Sequence, residues 1–431
     1  MEKTVGVQAG AEETSAFVGV GGITAERTEF LVGVGLGRGA VPSQQAHLDL
    51  VPAAAPSPAE NLMPLRLDAV LARHYIGRLR PSSALSVACV NPGALRLERW
   101  PGERSITPCY NRRFGYKTMA GNATPLRYAD VGINLGDPVF RGVYHGKQAH
   151  EDDLDDVVQR ALDVGVKKLM ITGSNLKESH HAIDLAKQYP GVCYATIGVH
   201  PCSTQDFDNY EGGPDALINE LRNLTLEAKE KGQAVAFGEI GLDYDRLFLS
   251  PKDVQLKYFE LQLDLAEELQ MPLFLHSRAC SEDFERLIGE RLDKLPKRGL
   301  VHSFTGTVPE MESLCRLGFD IGINGCSMKT EDNLEAVKAV PLDRLQIETD
   351  GPWCEIRASH ASSQHLKDGP AVPKAVKKEK WQKGMMVKGR NEPATIVQVA
   401  HVIARVKGIS VEEVCEAAWK NSTEMFGLGA A

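Results

Sequence analysis

The chain predicts an α/β fold: a (β/α)8 TIM barrel over residues 128–428, preceded by a disordered extension over residues 1–127. Two observations carry this. From Tyr128 onward, short apolar runs alternate with amphipathic helical patterns, and eight such units fit a barrel better than a doubly wound sheet. Polar side chains also recur at the C-terminal ends of the apolar runs, where a barrel gathers its chemistry.

Tyr128–Asn134 reads as the first strand and Asp152–Val164 as the first helix. Strands Lys167–Thr172, Cys193–His200 and Ala234–Glu239 follow. Between them lie helices Leu176–Gln188, which Ser174 or Asn175 could cap, and Pro214–Lys231. Helix Lys252–Leu269, strand Pro272–His276 and helix Ser281–Leu295 come next. Strands Gly299–Ser303, Phe319–Asn324 and Leu342–Thr349 then alternate with helices Pro309–Leu317 and Asn333–Ala339. Helices Ala394–Val406 and Val411–Gly427 end the series. Continuous apolar strands are what a parallel sheet covered on both faces requires.

The fourth unit organises the rest. Val235 to Phe237 is a buried strand, Gly238 permits close backbone approach, Glu239 ends the strand, and Gly241 breaks the chain into a loop holding Asp243, Asp245 and Arg246. A turn with solvated acids would read the same way in isolation. Other strand ends argue otherwise: Asn134, His200, His276 with Arg278, His302, Asn324 and Asp350. One such histidine is more often a hydrogen-bonded core residue than a ligand. Two on adjacent strands, flanked in barrel order by carboxylates, suit Mg²⁺, Mn²⁺ or Zn²⁺. No cysteine stands at these ends, which excludes a thiolate-rich zinc site.

Composition is that of a soluble protein, 43% hydrophobic and 25% charged, with no apolar run near the ~18 residues of a membrane span. A net charge of −8 excludes a wholly basic surface, so any nucleic-acid contact is local. Nine cysteines without a CxxC pair suit reduced thiols in a cytoplasmic or nuclear protein. Nothing in the sequence sets the oligomeric state, and a monomer is the default.

Residues 1–127 mix Gly/Ala/Val-rich, Pro/Ala-rich and Arg-rich stretches without a sustained period. A poorly ordered extension or translated upstream segment accounts for this. Met63 onward is Arg-rich and acid-poor, as mitochondrial targeting peptides are, but the chain opens Met1-Glu-Lys with Glu12 and Glu13 close behind, which is wrong for one. A small folded domain is the third reading. Met119 could serve as a start.

The motifs Asp130-Val-Gly-Ile-Asn134, Gly198-Val-His200-Pro201, Gly238-Glu239-Ile-Gly-Leu-Asp243, Leu275-His276-Ser-Arg278, Val301-His302-Ser-Phe304-Thr-Gly306, Glu348-Thr-Asp350-Gly-Pro-Trp353 and Arg390-Asn-Glu-Pro393 are specific only together. Residues 128–428 thereby resemble the TatD-type metal-dependent deoxyribonucleases, barrels of the metal-dependent hydrolase type within the wider amidohydrolase group, and among them the eukaryotic branch. The resemblance implies metal ligands at Glu239, His276, His302 and Asp350, with Glu239 able to bridge two ions. It also implies Mg²⁺-dependent, exonucleolytic cleavage of DNA with one or two ions per chain. Many relatives open with Asp-x-His-x-His, whereas this chain has Gly132 and Asn134 at the matching positions, which weakens the case for a firmly held ion there.

Catalysis is expected from Asp350, as base or ligand, with Glu239 and His200. His200 and Arg278 are candidates to touch phosphate, with a supporting hydrogen bond as the plainer role for each. Asn134 joins the substrate-binding set. So does the insertion after the eighth strand, where Lys377, Lys378, Lys380 and Arg390 surround Trp381 and suit a nucleic-acid backbone with one stacked base; a solvated loop is the plainer alternative. Cleavage of a C–N or ester bond and a metal-free binding barrel are the rival functions. The basic insertion favours phosphate over the first, and four intact ligand positions oppose the second.

Overall fold

The computed structural model describes residues 125–429, so the expectations for residues 1–124 lie outside the described residues. Eight parallel strands pair in chain order. They are Tyr128–Ile133, Val166–Ile171, Cys193–Ile197, Ala234–Asp243, Leu273–Arg278, Gly299–His302, Asp320–Ile323 and Leu345–Ile347. The sheet curls until its ends meet. Asp350 N donates to Gly132 O and Asn134 N to Gly351 O, each at 2.8 Å. Buried Asp130 accepts from Thr349 N and Oγ1 at 2.8 and 2.5 Å. These bonds nearly close the barrel and set Asn134 beside Asp350.

Strand side chains alternate between two apolar layers, as the period of two demands. Ala129, Val131, Met170, Phe274 and Leu300 cluster with Trp419 and Phe426 of the last helix, Val411–Phe426. Ile133, Leu169, Ile171, Leu275 and Ile323 belong to the larger core that includes the surrounding helices. Helix Leu176–Gln188 starts at Asn175, whose side chain accepts from Glu178 N at 2.9 Å. Among the described residues no single helix is long and apolar enough to cross a membrane.

The structure corrects three expectations. The fourth strand does not end at Glu239. It pairs with the fifth as far as Asp243 opposite Arg278, so Gly241 lies inside the strand. Gly238 and Gly241 have φ near +145° and +149°, and a Cβ on either would strike the fifth strand's backbone at Phe274 or His276. These glycines permit close approach and do not break the strand. The helix read as Ser281–Leu295 stops at Gly289, before a turn over Leu292–Lys294. Reduced thiols do not hold throughout: Cys326 and Cys354 are joined in a disulfide, Cα atoms 4.9 Å apart. Their segments leave neighbouring strands, seventh and eighth, which brings residues 28 apart in sequence side by side.

The insertion after the eighth strand contains two short paired strands, Ala375–Val376 and Met386–Val387. It packs on a hairpin that follows the first strand, Val143–Tyr144 with Lys147–Gln148. Lys378 lies over the Tyr144 ring at 4.6 Å, and Trp381 stacks on His150 at 4.9 Å.

Candidate active site

Glu239, His200, His276, His302 and Asp350 come from the third to sixth and eighth strands or the residues just beyond them, and they meet in one mouth. Glu239 is central. Its Oε1 lies 2.7 Å from His276 Nδ1 and 3.4 Å from His200 Nε2. Burial alone would raise its carboxyl, but His200, His276 and His302 outweigh burial and hold it far below the usual carboxylate range. Glu239 is therefore an anion at any working pH.

Two histidines are backed by carboxylates. Asp243 Oδ2 sits 3.2 Å from His276 Nε2, leaving Nδ1 toward Glu239. Glu348 Oε2 sits 2.5 Å from His302 Nδ1, leaving Nε2 3.8 Å from Asp350 Oδ1. Glu348 is itself fixed by Ser303 N at 2.7 Å and Asn324 Nδ2 at 3.0 Å. A carboxylate behind one imidazole nitrogen, with the other aimed at acids, is how metal-binding histidines are oriented. The free nitrogens of His276 and His302 thus face Glu239 and Asp350 respectively.

His200 differs. Ligand-capable atoms of His200, Glu239 and His276 lie within 4.8 Å of one another. Yet His200 Nδ1 accepts from Cys202 N at 3.0 Å, so the neutral ring carries its proton on Nε2, facing Glu239. Burial keeps that ring neutral, pushing its pKa down to about 4. His200 is built to donate a hydrogen bond, not a lone pair.

Asp350 is raised to about 7, mainly by burial, with Glu348 and Glu239 adding to the rise and His302 opposing it. Asn134 Nδ2 donates to Asp350 Oδ1 at 3.0 Å. In this structure Asn134 orients that carboxylate; as a substrate contact it would need to let go. Arg278 Nε is bonded to Asp245 at 2.8 Å and remains part-exposed.

Two substrate-binding expectations fail on geometry. Arg390 is buried, bonded to Asp153 at 2.7 and 2.8 Å and to Glu392 at 2.9 Å, so it ties the insertion to the barrel and cannot reach a nucleic acid. Trp381 has a face on His150 and donates Nε1 to Met385 O at 2.9 Å, which makes it a packing residue of the insertion. Lys377 and Lys380 are exposed; Lys378 is half-buried on Tyr144. The expectation that cysteines stay clear of the site also needs amending. Cys354 Sγ lies 3.2 Å from Asp350 Oδ2 and Cys202 Sγ 3.9 Å from Asp243. Cys354 is in the disulfide, and burial pushes the Cys202 thiol up to about 12, so neither supplies a thiolate.

Residues 137–427 match the family described as TatD related DNase. The chain belongs to that family. Its barrel region is 49% identical over 302 residues to Deoxyribonuclease Tat-D of Schizosaccharomyces pombe, covering 70% of this chain and 96% of the relative. It is 34% identical to the 3'-5' ssDNA/RNA exonuclease TatD of Erwinia tasmaniensis, covering 69% and 99%. Among solved structures, a TatD family hydrolase from Entamoeba histolytica superposes with a TM-score of 0.64 at 35% identity, covering 71% of this chain and all of that one. The family is one of metal-dependent hydrolases, and Glu239 and His276 belong to the group of three, with His200, whose ligand-capable atoms lie within 4.8 Å of one another.

Asp243 and Glu348, both buried behind the histidines, were missed as site residues. Glu348 had a signal: it is an acid in the Glu348-Thr-Asp350-Gly-Pro-Trp353 motif, directly after the eighth strand. Gly132 explains the family departure. A Cβ there would lie 2.6 Å from Glu348 Oε2 and 2.8 Å from His302 Cε1, so the space of a first-strand side chain is already filled. Gly132→Ala is expected to cost about 1–3 kcal/mol of stability and to displace His302, lowering activity. A variant with wild-type melting temperature and turnover would contradict this packing.

Proposed function

We propose that this chain is a divalent-metal-dependent deoxyribonuclease that hydrolyses DNA exonucleolytically. One observation carries the reading: two carboxylate-backed imidazoles face Glu239 and Asp350 in one mouth of a TatD-family barrel. We assign Glu239, His276, His302 and Asp350 as ligands to one or two ions, Mg²⁺ in preference to Mn²⁺ or Zn²⁺. Such an ion lowers the pKa of its water and neutralises charge on phosphoryl oxygens.

The chain's own groups do the rest. Asn134 holds one oxygen of Asp350, and the carboxylate is available to take a proton from attacking water. Nε2–H of His200 donates to a phosphoryl oxygen, held in that tautomer by Cys202 N. Arg278 adds positive charge at the lip. End-labelled DNA with full-length protein tests the proposal: EDTA should abolish cleavage and Mg²⁺ restore it, with products shortening from one end. No cleavage with any of the three metals would overturn it.

The barrel is the active unit in this reading, and 302 residues of it span nearly all of the fission-yeast relative. A chain starting at Met119 is expected to fold and to cleave DNA with full-length turnover; insolubility or lost activity would give residues 1–118 a role on the barrel. The exposed insertion should tune affinity. Replacing Lys377, Lys378 and Lys380 with Ala is expected to raise KM and leave kcat near wild type. A fall in kcat with KM constant would refute that role.

A further inference from the structure

The lip carries cations that the ligand set does not use. Lys329 ends the turn after the seventh strand, and Arg357 lies in the segment after the eighth. Two links fasten those segments together: the Cys326–Cys354 disulfide and a hydrogen bond from Ala361 N to Lys329 O at 2.9 Å. Arg357 N donates to His360 Nδ1 at 3.3 Å, which shapes the turn between them. Both cationic side chains are exposed, and neither has a carboxylate partner within ion-pair distance among the described residues.

Other charges face the same place. Arg246, in the turn just after the fourth strand, and Arg278, at the end of the fifth, act on Lys329 together with Arg357, and Asp350 acts on it with opposite sign. Arg278 has Asp245 and Arg246 has Asp243, 3.7 Å away. Lys329 and Arg357 have no ion-pair partner among the described residues, and Asp350, beyond ion-pair distance, offsets the repulsion at Lys329 only in part. Cations tied together without a paired counter-charge repel one another, and an anion between them removes that cost. Cys354 Sγ of the linking disulfide lies 3.2 Å from Asp350 Oδ2, so the two fastened segments stand next to the reacting centre.

We propose that Lys329 and Arg357 form a binding site for the phosphate adjacent to the scissile one on a single nucleic-acid strand. The inference rests on the nuclease reading and deepens it: the substrate is an oligonucleotide read over at least two consecutive phosphates. The disulfide is part of this site, because it pins the Arg357 segment against the Lys329 turn.

Binding tests it without needing turnover. Full-length protein and a Lys329→Gln/Arg357→Gln variant are titrated with a fluorescent single-stranded oligonucleotide in EDTA over a range of KCl. The variant should bind about tenfold more weakly for each of the two cations removed. Its log–log salt slope should be shallower by about 0.7, for the one single-strand phosphate that the pair neutralises. Lys329→Arg, which keeps the charge, should retain most of the affinity. With Mg²⁺, neutralising the adjacent linkage as a methylphosphonate should slow the wild type about tenfold and slow the double variant much less. An unchanged salt slope, or an equal methylphosphonate penalty in both proteins, would overturn the inference while wild-type cleavage leaves the nuclease reading standing. A wild type that neither binds nor cleaves DNA would overturn both.

Discussion

Glu239→Gln is expected to remove essentially all nuclease activity while leaving the barrel folded. Glutamine keeps the shape, so the fourth strand's close pairing with the fifth is undisturbed. What disappears is the charge between His200 and His276, 3.4 and 2.7 Å away. Losing a group that merely supports a metal ligand typically costs roughly 10–100-fold, so losing the shared carboxylate should cost more. Excess Mn²⁺ should not rescue it, because no other acid among the described residues has an oxygen within 4 Å of both His200 and His276. Melting temperature and far-UV circular dichroism check the fold, and cleavage of end-labelled DNA checks the loss. Activity within tenfold of wild type would remove Glu239 from the centre of the site.

The legibility of this site divides along physical lines. Strands were readable because each is a short apolar run; His276, His302 and Asp350 stand at or just beyond the ends of such runs, and Glu239 interrupts one whose strand goes on to Asp243. Arg390 was misread because its neighbours in sequence are exposed lysines, whereas its partner Asp153 is 237 residues away. No local pattern announces a buried ion-pair network of that kind. Asp243 was misplaced by one glycine: Gly241 looks like a chain break, and only the approach of His276's backbone shows why a strand needs it. Lys329 and Arg357 carried no signal, since their neighbourhood is made by the pairing of the seventh and eighth strands and the disulfide beyond.

Metal binding is expected to release protons, and the two ions to bind unequally. In the metal-free protein burial would lower His302, but Glu348 overrides it and lifts the ring to about 10. His276 is likewise raised, its hydrogen bonds to Asp243 and Glu239 outweighing burial. His302 therefore carries its extra proton near neutrality, His276 is shifted in the same direction, and Asp350, at about 7, holds part of one. A cation needs the neutral imidazoles and the ionised carboxylate, so it must displace these protons. The sign follows: raised pKa values make protons the competitor, and apparent metal affinity climbs with pH from about 6 to about 10, as Asp350 and then His302 lose theirs. Calorimetry in two buffers of different ionisation enthalpy should show at least about one proton released per tight ion, the one on His302. That ion takes Glu239, His276 and His302. A second has Glu239 and Asp350, but Gly132 offers it no side chain, and the space there belongs to Glu348 and His302. Water must complete that shell, which suits Mg²⁺, so activity should keep rising well beyond one equivalent. Asn134→Ala should weaken this second ion and be partly rescued by excess metal, whereas His302→Ala should not be rescued at all. Buffer-independent heats, or two ions bound with equal high affinity, would contradict this account of the site.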